Sequence, residues 1–414
     1  MQLALAAIAL VMLFTVVPLA MTGDGHARWE ALSRSFAAGR VQEMRYSYIG
    51  PLFAAPFLLF RSAETELWWG TRFNVMLLAG GAAACWWLLR GLVPPPTRAA
   101  FILLLVAGGM MPFHVRDFYG EVFTAVLVAV GLAIAIGKEQ RAGWLAVVLG
   151  AANTPASAPA LALVAVWRAV RSRRFDGLVA FAGVALLIVV ENWIVRGSPF
   201  NGGYATDHGH RTVMPFSGRA GFSYPMVFGV ASLLLSFGKG VLFFAPGLVT
   251  VPYARRHASP AVAATLEAWG IFLVGLVLVF AKWWSWYGGW YWGPRFLLFA
   301  AFPAALALAI VVTSGKRLLV AALLAAWTLW VGVSGAVFGM HGLEVCMAND
   351  YALEHLCWYA PEFSPLFRPL VIRMGLDLSQ RAWILVAVAS AAALTLPQLW
   401  SSNGHVRLKG DTAT

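Results

Sequence analysis

Residues 282–295 read KWWSWYGGWYWGPR, and both ends run on into apolar stretches. The segment therefore lies where one membrane helix ends and the next begins. It holds five Trp and two Tyr, with Lys282 and Arg295 at its ends. Trp and Tyr favour a membrane boundary because each ring has an apolar body and a polar tip. Seven such residues in fourteen positions exceed what anchoring requires. Flat aromatic faces also stack on the C–H faces of sugar rings, and a fixed guanidinium grips phosphate in bidentate fashion. Trp286, Tyr287, Trp290, Trp292 and Arg295 are thus candidates for holding a sugar phosphate.

The rest of the chain supplies the membrane frame. Of 414 residues, 60% are hydrophobic and only 12% charged, whereas about a quarter of a soluble domain is charged. Apolar runs recur at 2–22, 72–90, 99–115, 121–137, 142–155, 157–170, 177–195, 238–254, 262–281, 296–314, 318–339 and 381–398. They predict an all-α polytopic membrane protein with about twelve transmembrane helices. One membrane domain, 1–398, is followed by a short tail, 399–414. The first run has no Lys or Arg before it, a long apolar core and no convincing cleavage site, so it reads as a retained span. The fifth and sixth runs are short. They are either two passes, as the basic clusters at both ends favour, or one helix kinked at residues 153–155.

The net charge is +12. Lys and Arg are dispersed over loops, which points to membrane lipids as partners and away from nucleic acid. Short connections carry Arg90 and Arg98, Lys138 and Arg141, residues 168–174, Arg255 and Arg256, and Lys316 and Arg317. The positive-inside rule makes these loops, and with them both termini, cytoplasmic. The connections 23–71, 116–120, 196–237, 282–295 and 340–380 then form the outer face. Two outer stretches, 48–60 and 222–235, are apolar but too short to span and read as re-entrant or interfacial helices. Cys346 and Cys357 share one outer loop, as a disulfide in an oxidising compartment requires, and Cys85 reads as a packed thiol. No Cys/His spacing fits zinc.

Outer acids are the candidates for proton chemistry. Asp24, between two glycines just after the first span, reads as a general base or as a helix cap. Asp117 and Glu121 are four apart at the next outer turn and read as functional carboxylates or as a cap with an Arg116 ion pair. Glu191 reads equally as an internal ion-pair partner or a ligand. Lys239, flanked by Gly238 and Gly240, reads as a phosphate ligand at a helix start or as a snorkelling side chain.

Four stretches in this order carry a family resemblance: Gly23-Asp-Gly after the first helix; residues 48–60 with Gly50-Pro-Leu; Asn192, Gly197-Ser-Pro and Gly203-Tyr204 with Leu235-Ser236, Lys239-Gly240 and Ala245-Pro246; and Tyr287-Gly-Gly with Trp292-Gly-Pro-Arg295. Together they resemble the GT-C superfamily of polyprenyl-phosphate-sugar-dependent glycosyltransferases, especially bacterial relatives of protein mannosyltransferases and lipid A aminoarabinose transferases. The resemblance implies a GT-C-like membrane fold in the bacterial cytoplasmic membrane. It implies inverting transfer of a sugar from a polyprenyl-phosphate donor to a glycan, lipid or protein acceptor at the periplasmic side. Asp24 maps onto the family's proposed base, Asp117 or Glu121 onto a second acidic position, and Arg295 and Lys239 onto phosphate-binding residues. Tyr48, Tyr204 and His26 join the substrate-binding candidates. Many members pair two acids in the first loop, whereas Asp24 stands alone before glycine. No cofactor is demanded, and a divalent cation is compatible.

A twelve-span secondary transporter is the main alternative, but the two halves differ and the long loops lie on one face. A membrane acyltransferase would need a His-based site, for which His26, His208 and His210 are the available residues.

Overall fold

The computed structural model describes residues 1–60, 62–204, 209–315 and 318–407. Lys316, Arg317, His208 and the tail beyond 407 lie outside the described residues. Among the described residues every regular element is helical. Among the described residues six helical stretches are long and apolar enough to cross a membrane: Gly120–Gly137, Asp176–Arg196, Pro260–Lys282, Arg295–Thr313, Leu319–Tyr351 and Leu378–Leu396. Four shorter apolar helices, Gln2–Thr15, Pro95–Ala107, Ala142–Asn153 and Met226–Leu235, join them.

This count differs from about twelve because several expected spans are broken or short. Proline interrupts the backbone ladder and clashes with the preceding turn. Residues 238–254 accordingly divide into Val241–Phe244, Pro246–Thr250 and Val251–His257. The first helix stops at Thr15, ahead of Pro18. The second expected span begins earlier than 72, at Ala63, because the Ser62 side chain accepts the Thr65 N–H and caps the helix. The stretch 48–60, rich in proline, makes only the short turns Ile49–Leu52 and Ala55–Leu59.

Burial separates inner from outer helices. In the Arg295–Thr313 helix 83% of the apolar window is buried, against 17% for Asp176–Arg196. The first is the centre of the bundle, and the second presents Leu186, Val190 and Trp193 outward. The basic connections gather at one end. Arg168 pairs with Asp176 at 2.7 Å and reaches the Ala135 carbonyl, Glu267 pairs with Arg171 and Arg255, and Arg174 with Glu139. Arg168, at the end of the Ala158–Ser172 helix, also lies 5.6 Å from the Trp144 ring at the start of Ala142–Asn153. These two helices therefore form a hairpin that returns to the same end.

The opposite end carries the polar loops. The 23–71 connection is mostly ordered helix, beginning with Gly23–Ala38. Cys346 and Cys357 are joined by a disulfide that closes the turn between two short helices, and Cys85 is a buried free thiol.

Candidate functional site

Asp24 occupies the first turn of the Gly23–Ala38 helix, where the exposed N–H groups favour a carboxylate. One oxygen accepts from the Tyr46 hydroxyl at 2.7 Å, and the other accepts from Arg295 Nη1 at 2.7 Å. Arg295 Nε faces Glu121 Oε1 at 3.7 Å. A single guanidinium thus stands between two carboxylates from different outer segments. Arg28, one helical turn after Asp24, lies 4.6 Å from the Tyr46 ring centre and donates to the Ser47 carbonyl at 3.3 Å. Tyr204 meets Tyr46 edge-on at 6.3 Å. Burial pushes the Asp24 carboxyl up, but Arg295, the Tyr46 hydrogen bond and Arg28 outweigh it and hold the group below its ordinary value.

The contacts behind these groups explain why they meet. Glu191 accepts from the Ser47 hydroxyl and the Tyr48 N–H, and Arg196 donates to the Arg45 and Tyr46 carbonyls. Both come from the end of the Asp176–Arg196 helix, so that helix fixes the strip carrying Tyr46. Asp117 ties down the other side. It accepts from the Thr22 N–H at 3.0 Å, the Thr22 hydroxyl and the Phe118 N–H at 2.6 Å. Gly25 is required there, because a Cβ would lie 2.1 Å from the Asp117 carboxylate. Burial raises the Asp117 carboxyl, and its hydrogen bonds only partly offset that.

Lys239 is fully buried, and its ammonium donates to the carbonyls of Gly289, Tyr291 and Gly293. An ammonium has three donors, and all three are used. Gly289 and Gly293 sit at φ of 79° and 68°, a region open mainly to glycine, which turns those carbonyls toward the lysine. Lys239 therefore holds the aromatic loop that delivers Arg295, in contrast to the expected phosphate contact.

The aromatic loop also departs from expectation. Trp286, Tyr287 and Trp292 are 1%, 3% and 0% exposed, so their faces are covered by protein. Tyr287 stacks on Trp358, and Trp292 packs against Phe113 and Phe244 and donates to Ser334. Trp290 stacks on Tyr351 at 3.9 Å and donates to the buried Glu354. These rings form the loop's own core, because a large apolar face at a loop is stabilised most by burial. Tyr291 is the ring of this loop next to the guanidinium, 4.8 Å from Arg295. Tyr48 bonds to Ser35 and to the Gln42 carbonyl, closing the strip onto the helix, while His26 points outward beside Glu30.

Of the expected residues, the structure brings together Asp24, Glu121, Arg295 and Tyr204, with Asp117 beneath them. Lys239 and the aromatic loop stand behind. Tyr46, Arg28, Tyr291 and Glu354 were not singled out from the sequence. Arg28 had a signal, since i and i+4 share a helix face with Asp24. Glu354 had none beyond its place in the disulfide loop. Among the described residues no three His, Cys, Asp or Glu side chains cluster as metal ligands would.

No protein-family model matches the chain, and no curated protein matches it. Two solved structures do. ArnT from Cupriavidus metallidurans bound to undecaprenyl phosphate aligns over 96% of this chain and 76% of its own, at 14% identity and a TM-score of 0.54. The apo form of the same protein aligns over 96% and 75%, at 14% identity and 0.51. The chain has an ArnT-like fold. At that identity the likeness is one of architecture, and it reaches nearly the whole chain. Several of this chain's own helices are long and apolar enough to cross a membrane, as a multi-pass membrane protein requires, and Asp24, Glu121 and Arg295 gather at the end opposite its basic loops.

Proposed function

We propose that the chain is an integral membrane glycosyltransferase. It moves a sugar from a polyprenyl-phosphate donor to an acceptor hydroxyl at the outer, periplasmic face of the cytoplasmic membrane, with inversion and with both termini inside. The observation that carries this reading is the Asp24–Arg295 pair at the loop-rich end of an ArnT-type fold. One ArnT structure of that fold holds undecaprenyl phosphate, which supports the donor class.

The pair gives the mechanism its order. With Arg295 attached, Asp24 is a weak base. An arriving donor phosphate competes for the guanidinium through bidentate hydrogen bonds. Once Arg295 turns to the phosphate, Asp24 loses its main stabilising charge and its basicity rises. Asp24 then takes the acceptor proton as the acceptor oxygen attacks the anomeric carbon, through an oxocarbenium-like transition state. The bond to the phosphate oxygen breaks, and the negative charge growing there is stabilised by Arg295, with Arg28 nearby. A single displacement inverts the anomeric centre. Asp117 serves as a positioning residue through Thr22, and Lys239 through the aromatic loop. Because Arg295 and Arg28 set two positive charges against Asp24 and Glu121, activity should survive a chelator.

Label transfer and counterflow separate this from a transporter. The purified protein in proteoliposomes, given a panel of radiolabelled polyprenyl-phosphate sugars and membrane extract, should release polyprenyl phosphate and move label to a new product. Sugar counterflow without donor breakdown would replace the enzyme reading with the transporter.

A further inference from the structure

A cavity of about 430 Å³ is lined by Arg116, whose neighbour Asp117 bonds Thr22 beside the Asp24 helix. Its walls come from Val17 and Pro18 just after the first helix, the turn carrying Phe113 and Arg116, the stretch 336–347 and the start of the last helix. Arg116 braces it by donating to the carbonyls of Pro18, Gly335 and Ala336. Gln380 closes it from the last helix by donating to the Val337 carbonyl. Three features describe what would fit. Phe338 and Trp383 contribute aromatic surface. Trp383 is 1% exposed, yet its indole N–H has no hydrogen-bond partner, and a buried donor left unpaired is destabilising. The charged lining is Arg116 against Glu344 and Asp377, with His341 paired to Glu344 at 3.3 Å.

That balance is unfavourable for a phosphate, which would meet two carboxylates beside one guanidinium already used for bracing. It is equally unfavourable for a bare hydrocarbon chain, which would strand the polar lining. A neutral hydroxyl-rich ring satisfies all of it. Hydroxyls donate to Glu344 and Asp377 and accept from an indole N–H, while the C–H faces lie on aromatic carbon. The cavity is joined to the reaction centre by one segment. The Ala20 N–H bonds the Arg116 carbonyl and the Thr22 N–H bonds Asp117, so residues 18–22 run alongside 116–117. Asp24 lies six positions after Pro18 at the cavity, at most about 22 Å of extended chain.

We infer that this cavity binds the uncharged sugar part of the acceptor, so that the acceptor is a glycan or glycolipid whose head extends over more than one sugar. This rests on the glycosyltransferase reading. Its test has a binding arm that needs no turnover. The full chain in nanodiscs is photolabelled with dodecyl maltoside carrying a diazirine on the disaccharide, and the labelled peptides are mapped. Label should fall in 336–347 or 377–383, drop about tenfold with excess maltose or in Glu344→Gln, and resist dodecylphosphocholine, since one hydrogen bond with its stacking is worth about a factor of ten. Labelling elsewhere, or labelling displaced by dodecylphosphocholine but not by maltose, overturns the proposal. In the turnover arm, Glu344→Gln and Phe338→Ala should each raise the acceptor KM about tenfold and change the donor KM by less than about twofold. Equal shifts in both constants contradict it. Absence of turnover with every donor counts against the enzyme reading, while the photolabel still decides the cavity.

Discussion

Arg295 donates to Asp24 at 2.7 Å while its Nε faces Glu121 at 3.7 Å, so one guanidinium from the aromatic loop joins acids from the first and second outer segments. Removing that guanidinium leaves two acids without their shared partner. Arg295→Ala should cost about 2–4 kcal/mol in transition-state stabilisation, the range for a lost oxyanion donor. A fall in kcat/KM of less than about threefold, or under 0.7 kcal/mol, would dismiss Arg295 as a phosphate ligand.

Asp24→Asn keeps the Tyr46 contact but cannot take a proton. Turnover should drop about 10²–10⁴-fold, the usual worth of a general base. Donor binding should persist, because the substitution frees Arg295 for phosphate. Loss of donor binding in a folded Asp24→Asn protein would show instead that the acid shapes the donor site.

Lys239→Met removes three charge-assisted bonds to the loop 289–293 but no substrate contact. It should lower thermal stability by about 2–4 kcal/mol, as expected when bonds from a charged group are lost. The donor KM of the surviving folded protein should change little. A steep rise in donor KM at unchanged stability would return Lys239 to the phosphate.

The Asp24 carboxyl is held below its ordinary value, so its ion pair stabilises the folded protein above the unfolded carboxyl pKa, near about 4. That contribution is lost as pH falls through the lower, folded value. The melting temperature should therefore carry no Asp24-dependent step between about pH 5 and pH 8 and should fall below about pH 4. Asp24→Asn should remove part of that acid limb, and an identical acid limb in the variant would contradict the assignment.

Reduction of Cys346–Cys357, eleven residues apart, frees the turn that carries Glu354 and Tyr351 beneath Trp290. Loop-closure entropy puts the stabilisation at about 3 kcal/mol. Dithiothreitol should lower the melting temperature, and Cys346→Ala with Cys357→Ala should remove that sensitivity.

What the sequence could convey follows from range. Hydropathy is a local property, so the membrane frame was legible, as was the loop-rich end carrying Asp24, Glu121 and Arg295. The number of uninterrupted spans was not, because Pro246 and Pro252 break a run whose average hydropathy stays high. Ring counts could not separate a surface platform from a packed loop. Trp292 and Trp286 look like platforms in the sequence but lie behind the site, and only the fold supplies Phe244, Phe113 and Trp358 to cover this loop. Lys239 looked like a phosphate ligand because its glycine neighbours suit close approach. The groups that approach are carbonyls from fifty residues further on. Nothing local marks Tyr46, because its partner Asp24 and the Glu191 that holds its strip belong to distant segments.

The most direct test compares release of polyprenyl phosphate from a labelled polyprenyl-phosphate sugar by wild-type protein and by Asp24→Asn, both shown to be folded and in the same nanodiscs. The account predicts acceptor-dependent release with label moving to product in the wild type, reduced at least about 100-fold in the variant. Equal release by the two proteins would contradict the role assigned to the Asp24–Arg295 pair.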